Sequence, residues 1–302
     1  MISYGYDSTY RAIQRALAAN SGPRNLFVDG ITIFVPASKT RALSIRSIFF
    51  FPLFLLVVPM TAQRLQDPNA HFWFSHWGDH RVLERWSLHS EFHIRRAELG
   101  TNAQQLLIRP AVNFHLHDKV MLTAGYSYYE NYRYGAHPIR FANWEHHGFA
   151  QVQFTSLINK VRMQHRYRWE HRWMARLAPD ADGSDRFDGY GESDRFRYRV
   201  WLTVPLGKDT PWTLNGYDEI FLSLGGTAPG NRFSQNRASA LLGYHVNKEL
   251  NVLAGYLHQT IDRAGAAMGA DVVEKNSTLH VVLVYNLGLW KGKAPVVPVE
   301  DQ

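Results

Sequence analysis

The sequence predicts an all-β protein: an antiparallel transmembrane β-barrel of about twelve strands, preceded by an N-terminal signal segment. Three observations carry this. Apolar and polar residues alternate along many stretches after residue 70. Adjacent strand side chains point to opposite faces, so alternation gives each strand one apolar and one polar side. Aromatic residues make up 14% of the chain while its mean hydropathy is −0.30. A two-faced wall produces that combination, whereas helical spans need ~20 consecutive apolar residues. Lastly, a short apolar run precedes the alternating body.

That run is Ile48 to Met60, IFFFPLFLLVVPM. It has the length of a signal-peptide core and is short for a spanning helix. Arg41 and Arg46 stand before it, and Thr61-Ala62 supplies a small-residue cleavage site before Gln63. Export signals rarely carry a long leader, so translation is expected to begin near Val35 or Leu43. The alternative is a genuine extension with a helix over Thr9 to Ala19 and a membrane anchor. The expected organisation is therefore an extension and signal over 1–62, a barrel over 63–290 and a disordered tail over 291–302.

Within the body, the clearest strand is Val161 to Trp173. Val161, Met163, His165, Tyr167, Trp169, His171 and Trp173 share one face, and Arg162, Gln164, Arg166, Arg168, Glu170 and Arg172 share the other. A second strand repeats this, with Phe196, Tyr198, Val200 and Leu202 opposite Arg195, Arg197, Arg199 and Trp201. The full set of candidate strands is 70–80, 82–97, 104–117, 119–131, 144–157, 160–175, 193–206, 211–224, 235–247, 250–263 and 275–289. These number eleven. A single-chain bacterial barrel ordinarily has an even count, so twelve strands are expected, with ten as the alternative. Short turns are expected at Gly78-Asp79, His117 to Lys119, Asn159-Lys160, Gly207 to Asp209 and Asn247 to Glu249. Longer loops are expected at 132–143, 176–192, 225–234 and 264–274. Trp73, Trp86, Tyr128, Tyr129, Trp144, Trp173 and Trp212 suit interfacial girdles.

Periodicity alone does not say which face is inside. A lipid-facing arginine costs about 2–4 kcal/mol at the midplane. In a membrane barrel the arginine rows must therefore line the lumen. The expected lumen charge ladder is Arg95, Arg109, Glu145, Arg166, Arg168, Glu170, Arg172, Arg195, Arg197, Arg199, Glu219 and Arg237. Two roles are open for it: ion pairs that fix strand register, or a selectivity zone for anions.

The remaining chemistry is sparse. The chain has no cysteine, which excludes disulfides and thiolate chemistry. Its net charge of +7 falls largely before residue 63. The body holds 27 basic and 24 acidic residues, so no nucleic-acid partner is expected. Adjacent His146 and His147 would face opposite ways, and His89 and His93 share a face with Glu91. No metal site, cofactor or catalytic residue is expected from these spacings.

Eight segments carry a family resemblance: HFWFSHW (71–77), RWSLHSEFHIRR (85–96), LLIRPAVNFHL (106–116), RYRWEHR (166–172), RFRYRVWLTVPL (195–206), YDEIF (217–221), QNRASALLGYHV (235–246) and LNVLAGYLHQ (250–259). Through these, the body from Ala70 to Leu289 resembles the bacterial family called domain of unknown function 2490. That resemblance implies an outer-membrane barrel and no particular activity. The expected partners are outer-membrane lipid and small solutes. The leading expectation is a passive pore or solute-binding barrel. The alternatives are an envelope protein with a sealed lumen or a lipid-modifying enzyme on the barrel wall.

Overall fold

The computed structural model describes residues 24–28, 31–35, 64–182, 184–225, 233–267 and 270–290. The expected signal run, the alternative helix over 9–19 and the tail after residue 290 lie outside the described residues. The chain divides into two units, Met1–Met60 and Thr61–Gln302. In the first, β1 (Arg24–Val28) and β2 (Ile31–Val35) form an antiparallel hairpin with Arg24 opposite Val35.

The second unit contains a closed barrel of eleven strands. They are β3 (Leu65–Arg81), β4 (Trp86–Ala97), β5 (Asn102–His117), β6 (Val120–Asn131), β7 (Asn143–Ile158), β8 (Val161–Pro179), β9 (Asp185–Pro205), β10 (Trp212–Leu224), β11 (Phe233–His245), β12 (Leu250–Ala267) and β13 (Ala270–Tyr285). Each pairs antiparallel with its chain neighbour. The closing pair, β13 with β3, is parallel, with Val272 opposite Leu65 and Val284 opposite Trp77.

This corrects the expectation of twelve. An odd number of up-and-down strands closes only if the first and last run the same way, and β3 and β13 do. The first strand therefore starts at the end of the barrel that holds loop 132–142. The last strand finishes at the opposite end, beside the turns 82–85, 118–119, 159–160, 206–211 and 246–249.

Three smaller expectations also change. Gly78-Asp79 is no turn but lies inside β3. A Cβ at Gly78 would sit 2.7 Å from the Tyr285 carbonyl of β13, so the glycine permits the close approach that closes the barrel. The loops expected over 176–192 and 264–274 are largely strand, because β8 and β9 stay paired out to Pro179 and Asp185 and β12 and β13 out to Ala267 and Ala270. Backbone pairing carries these Gly- and Asp-rich stretches without help from side-chain alternation. Trp73 and Tyr129 are not girdle residues. They point inward and are 1% and 6% exposed.

The wall is inverted relative to a water-soluble barrel. Arg109, Arg168, Glu170, Arg197 and Glu219 are buried inside, whereas Leu88, Ile108, Val112, Leu214, Leu242 and Leu279 are exposed on the outside. Outward aromatics cluster near both rims. Trp86 packs on Phe114 and Trp212 on Tyr244 at the short-turn end, and Trp144, Phe187 and Tyr190 pack together at the other.

Closure by β3 and β13 is directly testable in this cysteine-free chain. Phe74 and Val281 are register partners. Paired strands hold their Cα atoms about 5 Å apart, within disulfide range. The double variant Phe74→Cys/Val281→Cys is expected to cross-link under mild oxidation, visible as a gel shift reversed by reductant. A twelfth strand between the two would prevent it.

Candidate functional site

Strand register alone would put like charges together. On the inner face of β8 and β9, Arg166 stands opposite Arg199 and Arg168 opposite Arg197. Directly opposed like charges are unfavourable, so carboxylates must intervene. Glu170 of β8 and Glu219 of β10 do so. Glu170 accepts from Arg195 Nε and Nη2 at 2.8 and 2.6 Å and from Arg197 Nη1 at 2.6 Å. Glu219 accepts from Arg197 Nε and Nη2 at 3.0 and 2.8 Å and from Arg166. Arg197 thus bridges two buried carboxylates.

Two further clusters complete the layer. Glu91 pairs with Arg109, whose Nε donates to Ser127 Oγ at 2.8 Å. Glu145 accepts from Arg172 at 2.8 Å and lies 2.9 Å from His147 Nε2. Aromatic rings fill the gaps between guanidiniums. Arg168 sits 4.3 Å over Phe149 and Arg197 4.4 Å over Phe221, while Arg95 and Arg237 lie 4.1 and 5.1 Å from the Trp73 ring. Such stacking favours arginine where a ring face is the available neighbour.

All twelve residues of the sequence-predicted ladder face the lumen. They do not form one uniform ladder. Together with Phe149, Phe221 and Trp73 they make a septum across the middle of the barrel. On either side lies a separate space, and the two share no lining residue. The vestibule at the short-turn end measures about 1000 Å3 and the one at the other end about 460 Å3. The larger is lined by seven Lys and Arg residues against three Asp and Glu. Among its arginines, Arg162 and Arg199 make no salt bridge within the described residues, and of the two Arg199 is the one held against aromatic rings. It lies over the rings of Trp201 and Tyr217, and its Nε has no hydrogen-bond partner.

The smaller vestibule is covered by loop 132–142. Tyr134 Oη donates to Glu274 at 3.0 Å, and Arg263 donates to the His137 carbonyl at 2.7 Å. Glu274 is 1% exposed. The sequence reading missed this latch, because its members come from widely separated strands and no local pattern joins them.

It also missed a hydrogen-bonded chain through the septum. Ser75 Oγ lies 2.7 Å from His93 Nδ1 and 2.9 Å from His280 Nε2, and His93 Nε2 lies 2.6 Å from Glu91. Serine, imidazole and carboxylate in sequence resemble an activated nucleophile. Ser75, however, is completely buried and lines neither vestibule. No acyl group reaches it, and the chain ties β3, β4 and β13 together. His146 and His147 do face opposite ways. His147 is buried, while His146 packs outside against Tyr126 and Tyr128.

Removing one partner of a buried ion pair leaves the other uncompensated, at about 3–5 kcal/mol. Glu170→Gln strands Arg195 and leaves Arg197 with Glu219 alone, and is expected to lower the unfolding free energy measured in urea by about that amount. Glu192→Gln, at an exposed position on the β8–β9 hairpin, is expected to change it by less than about 0.5 kcal/mol.

One relative, an uncharacterised protein of Methylorubrum extorquens, is 29% identical over 167 residues, covering 52% of this chain and 63% of its own. This chain thus spans less than two thirds of that relative's length. Among solved structures, the NanC porin aligns over 64% of this chain and 84% of its own, at 12% identity and a TM-score of 0.37. That likeness is too loose to transfer a role. The family match is broad: residues 70–268 fit the family described as "Protein of unknown function (DUF2490)", and the chain belongs to that family.

Proposed function

We propose that the protein is an integral outer-membrane barrel that binds small acidic solutes in its lumen and provides no permanently open channel. The inverted wall supports the membrane assignment. Apolar side chains face outward along strands of 12 residues or more, longer than the ~9–11 residues that cross a bilayer. The export signal expected from the sequence supports the outer membrane as the membrane concerned.

The observation that carries the binding reading is Arg199. A guanidinium that makes no salt bridge among the described residues, with its cross-strand neighbour Glu219 already bound to Arg166 and Arg197, and that faces a space of about 1000 Å3 with excess basic residues, is suited to an anion. A carboxylate- or phosphate-bearing solute would supply the charge that Glu170 and Glu219 supply to Arg197. Cavities of this size hold small-molecule ligands, and the bidentate geometry of arginine favours planar oxyanions. The septum argues for the solute-binding form over an open pore, since the two vestibules share no wall residue.

Two measurements test the reading. Purified protein in planar bilayers is expected to pass no steady current. Citrate, used as a probe, is expected to bind the detergent-solubilised protein with an affinity that falls at least tenfold on Arg199→Gln and weakens with added salt. A steady anion current through the unmodified protein would replace this reading with the open pore. Citrate affinity indifferent to Arg199→Gln would remove the vestibule from the account.

A further inference from the structure

The outer wall is not apolar all round. Around most of the barrel its middle is lined by residues such as Ile108, Val112, Leu122, Val152 and Trp169. On β10 through β13 and β3 the pattern changes. Asp218 stands opposite Ala238, Ala238 opposite His258, His258 opposite Ser277, and Ser277 opposite Ala70. These form one outward-facing row. Asp218, Ala238, Ser277 and Ala70 are exposed.

The row lies at mid-depth. Asp218 is the central residue of β10, and His258 and Ser277 sit at the midpoints of β12 and β13. The adjoining rows hold Gly216, Ala240, Tyr256 and Leu279 on one side, and Ile220, Asn236, Thr260 and Lys275 on the other. Asp218 accepts from Asn236 Nδ2 at 3.1 Å, and Tyr256 Oη lies 3.0 Å from Ser277 Oγ and 3.4 Å from His258 Nδ1.

An exposed carboxylate and a half-buried imidazole at this depth are unfavourable against acyl chains, which offer neither donors nor acceptors. Lipid headgroups do not relieve this, because they sit at the rims. A protein surface does. The patch also carries its own complement. The acid lies on β10, the bases His258 and Lys275 lie on β12 and β13, and Ala238 and Ala240 of β11 make a flat strip between them. A two-fold rotation about an axis over that strip presents the acidic flank of one copy to the basic flank of the other. Small residues along the strip let the two walls approach closely.

We propose that the face formed by β10 to β13 is the interface of a homodimer within the membrane. The inference rests on the membrane reading above. The residues nearest the axis test it, because the chain has no cysteine. In isolated outer membranes, Ala238→Cys is expected to form a disulfide-linked dimer under mild oxidation. Ala124→Cys, an exposed mid-wall position on β6 five strands away, is expected to remain monomeric. Asp218→Leu in the Ala238→Cys background is expected to raise the monomer-to-dimer ratio at least fivefold. Three results would overturn the proposal: Ala238→Cys staying monomeric, cross-linking to a different polypeptide, or cross-linking no better than Ala124→Cys. Protein recovered in the aqueous fraction without detergent would sink the membrane reading, and this proposal with it. A detergent-requiring protein without the cross-link sinks the dimer alone.

Discussion

The structure depends on one electrostatic requirement: a guanidinium or carboxylate removed from water needs a partner of opposite charge or a dense set of hydrogen bonds. The β8–β9 register sets arginine against arginine on the inner face. That arrangement persists only because Glu170 and Glu219 come from strands close enough to stand between them. Arg197, held by both, links β8, β9 and β10 into one charged layer. Closure of the barrel creates that need, because it takes the inner face out of bulk water. Glu91 with Arg109 and Glu145 with Arg172 extend the layer to β4, β5, β7 and β8.

Much of the wall was legible in the sequence. Period-two alternation located all eleven strands, because side-chain parity is a local property of the chain. The strand count was misjudged for a non-local reason. Whether β3 meets β13 parallel or antiparallel depends on a contact between residues about 200 positions apart, and only the close approach at Gly78 hints at it. Trp73 and Tyr129 were misplaced because aromatic identity suggested a rim position. Their parity on β3 and β6, read against Ser75 and Ser127, already pointed inward. The extended β8–β9 hairpin escaped notice because its Gly- and Asp-rich residues carry no side-chain alternation, and the contacts of Phe187 and Tyr190 with Trp144 are made with another strand.

The candidate site was legible in composition and not in arrangement. Every ladder residue could be assigned to the polar face, and Glu91, Glu145, Glu170 and Glu219 could be named as acids available to it. Which arginine meets which acid is set by register, and which arginine is left over is set by the closed geometry. Among the described residues, Arg95, Arg199 and Arg237 are the ladder arginines left without a salt bridge once Glu219 is committed to Arg166 and Arg197, and of these Arg199 faces the larger vestibule. The septum, the two vestibules and the polar strip on the outer wall are then three expressions of one rule. Charge is tolerated where it is matched, and where it is unmatched it marks a place for something else to bind.

The claim beneath all of this is the inverted wall, with Trp169 facing acyl chains and Trp201 facing the lumen. Quenching by lipids brominated along their acyl chains tests it most directly, using variants in which Trp169 or Trp201 is the single tryptophan kept of the nine. The account predicts strong quenching of Trp169, which is 45% exposed on the outside, and little of Trp201, which is 7% exposed. Quenching of Trp201 with Trp169 unaffected would contradict it.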